Sequence, residues 1–109
     1  SGCSLDLSSL PLLDGAIALL SSGIRSSLHD QNRAAVQIDA SGLHDDAATH
    51  FDAHVETLFD PQTSGGLLGV FSRDAAKSLV ATLNKDVAAA AIIGKLDFTN
   101  AGIHLTENM

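Results

Sequence analysis

The spacing of apolar residues changes several times along this chain, and each change marks a boundary between elements. Cys3, Leu5 and Leu7 alternate with Ser4, Asp6 and Ser8, which is the period of a strand with one buried face. Ser8 and Ser9 precede Pro11, and Leu13, Ile17 and Leu20 then follow at helical spacing, with Leu12, Ala16 and Leu19 widening the stripe. The pattern predicts a helix with proline in its first turn and Gly23 as its left-handed stop. Ile24 to Gln31, with Arg25, Ser26, Ser27 and His29, reads as a polar loop. Asn32 to Ile38 carries Ala35, Val36 and Ile38 without a clean period and favours helix over strand, and Ser41 to Asp45 is turn material around Gly42. Phe51, Val55 and Leu58 repeat at i, i+4 and i+7 and predict a short amphipathic helix. It ends at Asp60-Pro61, because proline lacks a backbone N–H and turns the preceding residue away from helical geometry.

Beyond the break, Leu67, Leu68, Val70 and Phe71 form a run short enough for a buried strand. Ser72 is placed to cap a helix whose buried stripe is Ala76, Leu79, Val80 and Leu83, with Lys77 and Lys85 outside it. Ala88 to Ile93, flanked by Asp86 and Gly94, reads as a central strand that Lys95 to Phe98 continues. Ile103 to Leu105 reads as a last edge strand after the Asn100-Ala101-Gly102 turn. Strand, helix, strand, strand in that order predicts an α+β domain, layered, with a mixed sheet.

Composition narrows the chemistry. The 109 residues suffice for one core, and 45% hydrophobic against 17% charged residues is globular composition. Four Phe and no Trp or Tyr make that core aliphatic. Thirteen acidic against six basic residues, a net charge of −7, argue against nucleic acid binding by phosphate neutralisation. A phosphate ligand would then have to be held by local N–H groups, or by metal supplied from elsewhere. Cys3 is the single cysteine, so an internal disulfide is impossible; it reads as a small buried hydrophobe, and a reducing, cytoplasmic setting fits. No signal-peptide pattern and no apolar run near eighteen residues is present, so no membrane association is expected. The chain begins at Ser1 without Met and is read as a single domain, 1–109, of a longer protein.

Candidate chemistry concentrates between the apolar pair Leu58-Phe59 and the run at Leu67. Asp60, Gln62, Thr63, Ser64, Gly65 and Gly66 offer hydroxyls and successive backbone N–H groups, which can form a concave nest for an anion. A plain tight turn accounts for the same glycines. Asp60 either orients loop N–H groups or closes an Asx turn before proline. Asp46, His50 and His54 fall on one helix face, yet a zinc site normally closes with a fourth ligand that the sequence does not supply; a solvated face is the better reading. His29, His44 and His104 read as isolated surface residues. No nucleophile–base pair, Walker lysine or GxGxxG pattern is present, so no catalytic residue and no metal ligand is assigned in this chain.

The nine-residue string Asp60-Pro61-Gln62-Thr63-Ser64-Gly65-Gly66-Leu67-Leu68 resembles the C-terminal signature of the selenide, water dikinase (selenophosphate synthetase) family. Leu10-Pro11-Leu12-Leu13-Asp14-Gly15-Ala16, Ser22-Gly23-Ile24 and Asn32-Arg33 extend the resemblance from Ser1 to about Leu105. It implies the fold of the C-terminal domain of aminoimidazole ribonucleotide synthetase-like ATP enzymes. It also implies a parent reaction in which ATP, selenide and water give selenophosphate, AMP and phosphate. ATP, magnesium with its aspartate ligands, and the redox-active Cys or selenocysteine would then belong to an N-terminal ATP-binding domain, the partner of this one. Cys3 lacks the glycine-rich context of that residue. A homodimer of the full-length parent also fits. Where the family has a glycine-rich loop before Asn-Arg, this chain has Ser26-Ser27-Leu28-His29-Asp30-Gln31, which resembles the variant fused behind a pyridine-nucleotide oxidoreductase module. On the residues alone, other readings stay open: a stand-alone α+β module that binds a small anion or a partner without catalysis, or an interaction domain using a sheet face.

Overall fold

The computed structural model describes residues 1–43, 53–86 and 89–107. Four strands form one mixed sheet: β1 (Gly2–Asp6), β2 (Ile38–Gly42), β3 (Gly94–Asp97) and β4 (Gly102–Thr106), in the order β2-β4-β1-β3. β1 runs antiparallel to β3 and parallel to β4, and β4 runs parallel to β2. With its helices this is the α+β layout that the element order predicts.

β1 lies where the alternation of Cys3 and Leu5 places it, with Leu5 opposite Leu105 and Cys3 opposite Ile103 and Leu96. Cys3 itself is half-buried rather than fully enclosed. β4 is central, which corrects the edge position expected for Ile103–Leu105. The reason is burial: Leu105 is 1% exposed and packs with Leu7, Val55 and Phe59 into the core, a position that an edge strand does not provide. β3 starts at Gly94 because the backbone of β1 passes there; a Cβ at Gly94 would lie 2.1 Å from the Ser4 carbonyl oxygen.

The first predicted helix is shorter than its apolar stripe. Asp6 instead caps a 3-10 turn at Leu7–Ser9, accepting from Ser8 N at 3.0 Å and from Ser9 Oγ at 2.5 Å. Helix α1 (Ala16–Ser21) begins only after Gly15, at φ 86°, and stops at Gly23, at φ 88°. Pro11 therefore lies outside it, and Leu13 is exposed. Helix α2 (His29–Ala34) opens inside the stretch read as a polar loop, with Ser26 Oγ accepting from Leu28 N at 3.2 Å just ahead of it. Asp30 in its first turn and Arg33 in its last suit the helix dipole. The chain then reaches β2, so helix does not extend to Ile38, and Gly42 ends a strand rather than centring a turn. Residues 53–56 are helical and pass into a 3-10 turn at Thr57–Phe59, as the Val55/Leu58 spacing predicts; Phe51 lies outside the described residues.

Two strand predictions fail together. Residues 67–71 form no strand, and Leu67, Leu68, Val70 and Phe71 are exposed. Residues 89–93 are irregular as well: Ala89 takes φ 84°, and Asn84 holds Ala90 through two hydrogen bonds of 3.0 Å. Helix α3 (Arg73–Asp86) forms where predicted, with Ser72 Oγ accepting from Ala75 N at 3.4 Å. Its stripe finds no strand pair to cover it, so Leu79 and Leu83 remain 36% and 40% exposed, and no residue of α3 is buried.

Candidate functional site

The segment between Phe59 and Leu67 starts from a buried anchor. Phe59 is in the core, and its carbonyl accepts a hydrogen bond from Asn32 Nδ2 at 2.9 Å. The Arg33 guanidinium lies 5.1 Å from the centre of the Phe59 ring, and the His29 ring meets it edge-on with centroids 6.2 Å apart. Three residues upstream, buried Glu56 takes the His29 Nε2–H on one carboxylate oxygen and faces Arg33 Nε at 3.4 Å with the other. His29, Asn32 and Arg33 stand at i, i+3 and i+4 on α2, the spacing that shares one helix face. His29 is thus not the surface residue its sequence context suggests: it is fully buried, because a carboxylate meets its ring N–H and offsets desolvation. Its Nδ1 has no hydrogen-bond partner among the described residues. The spacing to Asn32 and Arg33 was the available signal for this role.

From Asp60 the chain leaves the core. Asp60 Oδ2 accepts from Gln62 Nε2 at 2.6 Å, so a side chain two residues on is tied back to it. Gln62, Thr63, Ser64, Gly65 and Gly66 are all exposed. The left-handed residue is Ser64, at φ 62°, and neither glycine. A Cβ at Gly65 would lie 2.7 Å from Gln62 Cβ, whereas one at Gly66 would meet nothing within 4 Å.

Asp60, Gln62 and Gly66 share a groove of about 330 Å³ with Thr57, Leu58, residues 10–13, Ala16 and Leu20. Thr63, Ser64 and Gly65 are not among its lining residues. The structure therefore brings the segment 10–16 and the loop 60–66, far apart in sequence, to one place, and it sets Asn32 and Arg33 against the stem of that loop. Ser22-Gly23-Ile24 serves as the stop of α1.

The other histidines divide. Asp46, His50 and His44 lie outside the described residues, while His54 is half-buried in the helical residues 53–56. Among the described residues, no three His, Cys, Asp or Glu side chains come together in a way that could hold a metal. His104 on β4 is not isolated. It sits opposite Asp39 of β2, with Nδ1 3.0 Å from Asp39 Oδ2 and Nε2 2.8 Å from the Ala101 carbonyl oxygen. The hydrogen bond to Ala101 first, and then that to Asp39, raise the His104 pKa above its ordinary value. Hydrogen bonds from Ser41, and after them His104, bring Asp39 down to about 2.

The fold and loop together define an α+β domain that sets a glycine-paired loop beside a largely apolar groove. This chain is similar to selenide, water dikinases. It is 32% identical to that of Citrifermentans bemidjiense over 93 residues, covering 85% of this chain and 25% of the relative. It is 40% identical to that of Shewanella sp. strain MR-4 over 93 residues, covering 85% and 24%. The Pseudomonas straminea protein is 34% identical over 95 residues, covering 85% and 25%. The resemblance read from the 60–68 signature is thus shared by most of the chain. The chain spans about a quarter of the length of the curated relatives it matches. No protein-family model and no solved structure matches it.

Proposed function

We propose that this chain is the C-terminal domain of a selenide, water dikinase, and that its loop Gln62–Gly66 forms part of the active-site wall where phosphoryl groups are handled. One observation carries the reading: residues 10–13 and Ala16 meet Asp60, Gln62 and Gly66 at one groove, both stretches resembling the family, while Asn32-Arg33 anchors the stem of the loop at Phe59. Transfer of phosphoryl groups from ATP to selenide and water asks a protein for positioning and charge stabilisation more than for covalent help. Backbone N–H groups supply that without reorganising. Ser64 is left-handed within a turn, the conformation that an anion nest needs at one of its two residues, and Thr63 and Ser64 add hydroxyl donors. A chain of net charge −7 offers no basic field, so these local dipoles would carry the contact.

The described residues do not fit a magnesium site, so the magnesium of such a reaction would take its ligands from outside them. ATP and selenide chemistry then depend on the remaining three quarters of the enzyme, which the loop would face.

The test uses the full-length protein that carries this chain. Thr63→Val combined with Ser64→Ala removes two donors and leaves the glycines in place; turnover is expected to fall by more than about tenfold, as loss of transition-state donors does. The melting temperature should stay within about 2 °C. Unchanged turnover would reduce the loop to a structural turn. The chain 1–109 alone is expected to release no AMP from ATP and selenide, and AMP release would overturn its dependence on the rest of the enzyme.

A further inference from the structure

We propose that His29, Asn32 and Arg33 on one face of α2 are positioning residues that set where the loop Asp60–Gly66 stands. The inference rests on the reading of that loop as a phosphate contact, but its structural half can be tested apart from it. The loop's own ties are local: Gln62 binds back to Asp60, and Gly65 closes against Gln62. Residues 62–66 are exposed, so packing does little to orient them. Their placement is inherited from the stem, Glu56 to Phe59.

That stem is held by α2 at two points three residues apart. His29 and Arg33 each face one oxygen of Glu56, and Asn32 Nδ2 donates to the Phe59 carbonyl. Burial of the Phe59 ring fixes a side chain and leaves the peptide that joins Phe59 to Asp60 free to turn. The Asn32 hydrogen bond removes that freedom by setting the direction of the carbonyl. Asp60, extended at φ −67° and ψ 122°, and Pro61, whose ring fixes its own φ, then carry the direction into the loop. Two contacts on Glu56 keep the stem from rotating about its axis, which a single contact would allow. The Arg33 guanidinium against the Phe59 ring closes the same cluster from its half-exposed side.

The experiment follows the backbone amide signals of this chain by two-dimensional NMR and its binding of inorganic pyrophosphate. In Asn32→Ala, the amides of Thr63, Ser64, Gly65 and Gly66 are expected to shift or broaden while those of β1 and β4 hold their positions. Pyrophosphate binding should weaken about fivefold, the share of one net hydrogen bond. Glu56→Gln keeps the volume and the contact with His29 but removes the charge facing Arg33, and it should move the same loop amides by a smaller amount. It also serves as the readout if Asn32→Ala fails to fold. Loop amides that stay fixed in a folded variant, or shifts spread evenly over the sheet, would overturn the positioning role. If the unaltered chain does not bind pyrophosphate, the phosphate reading of the loop fails, and the amide comparison still decides whether α2 positions it.

Discussion

Gly65 and Gly66 stand side by side, and only Gly65 is required by its neighbours. A side chain at Gly65 meets Gln62 Cβ and would force apart the turn that Gln62 and Asp60 close. Gly65→Ala is therefore expected to lower stability by about 1 kcal/mol or more, in the range of overpacked sites. Gly66→Ala has open space and a φ outside the left-handed region, and should stay within about 0.5 kcal/mol in a denaturant titration. Equal losses at both positions would contradict the geometry. A Gly66→Ala variant of normal stability that binds pyrophosphate more weakly would mark Gly66 as a point of ligand approach. His104 and Asp39 give the pH dependence at this scale. The raised pKa of His104 contributes stability that is present below 6.5 and lost as pH rises through its folded value. The lowered pKa of Asp39 contributes stability that is present above 3.8 and lost as pH falls toward about 2. Melting temperatures from pH 2 to 9 should show that His104→Ala removes the alkaline-side loss. The acid-side loss should largely remain, because Ser41 is the main cause of the Asp39 shift.

Among the elements, α3 shows how far a periodic pattern can be trusted. Its stripe and its serine cap were legible in the sequence, and the helix forms there. Burial of the stripe was not legible, because it depends on two flanking strands whose apolar runs look the same whether or not they pair. Without that cover Leu83 keeps 40% of its surface exposed, and Leu83→Ala should cost less than about 1 kcal/mol, well short of a core truncation. Leu105→Ala, in the core of the sheet, should cost about 2–5 kcal/mol. Similar losses at the two positions would place the α3 stripe in the core after all. The contrast between α1 and its longer apolar stripe has a simpler cause: Gly15 is left-handed, and the helix cannot begin before it.

At the scale of the molecule, the strands from the two ends of the described chain lie side by side at the centre of the sheet. β4 carries the most buried core leucine, and β1 and β2 both hydrogen-bond to it. A chain ending at Ala101 is therefore expected to lose cooperative thermal unfolding, and a sharp transition in that truncation would show that β1 and β3 with the helices suffice for a core.

By itself, the sequence determined the position of β1, the serine-capped α3, the break at Asp60-Pro61 and the family resemblance. Each of these rests on residue types and on spacing within one element, which any conformation of the chain preserves. Only the tertiary structure decided that β4 is central, that His29 is buried against Glu56, that His104 answers Asp39, and that segments 10–16 and 60–66 share a groove. Those facts depend on which distant backbones pair and which side chains meet, and the hydrogen bonds and burial that choose among such pairings exist only once the chain has folded.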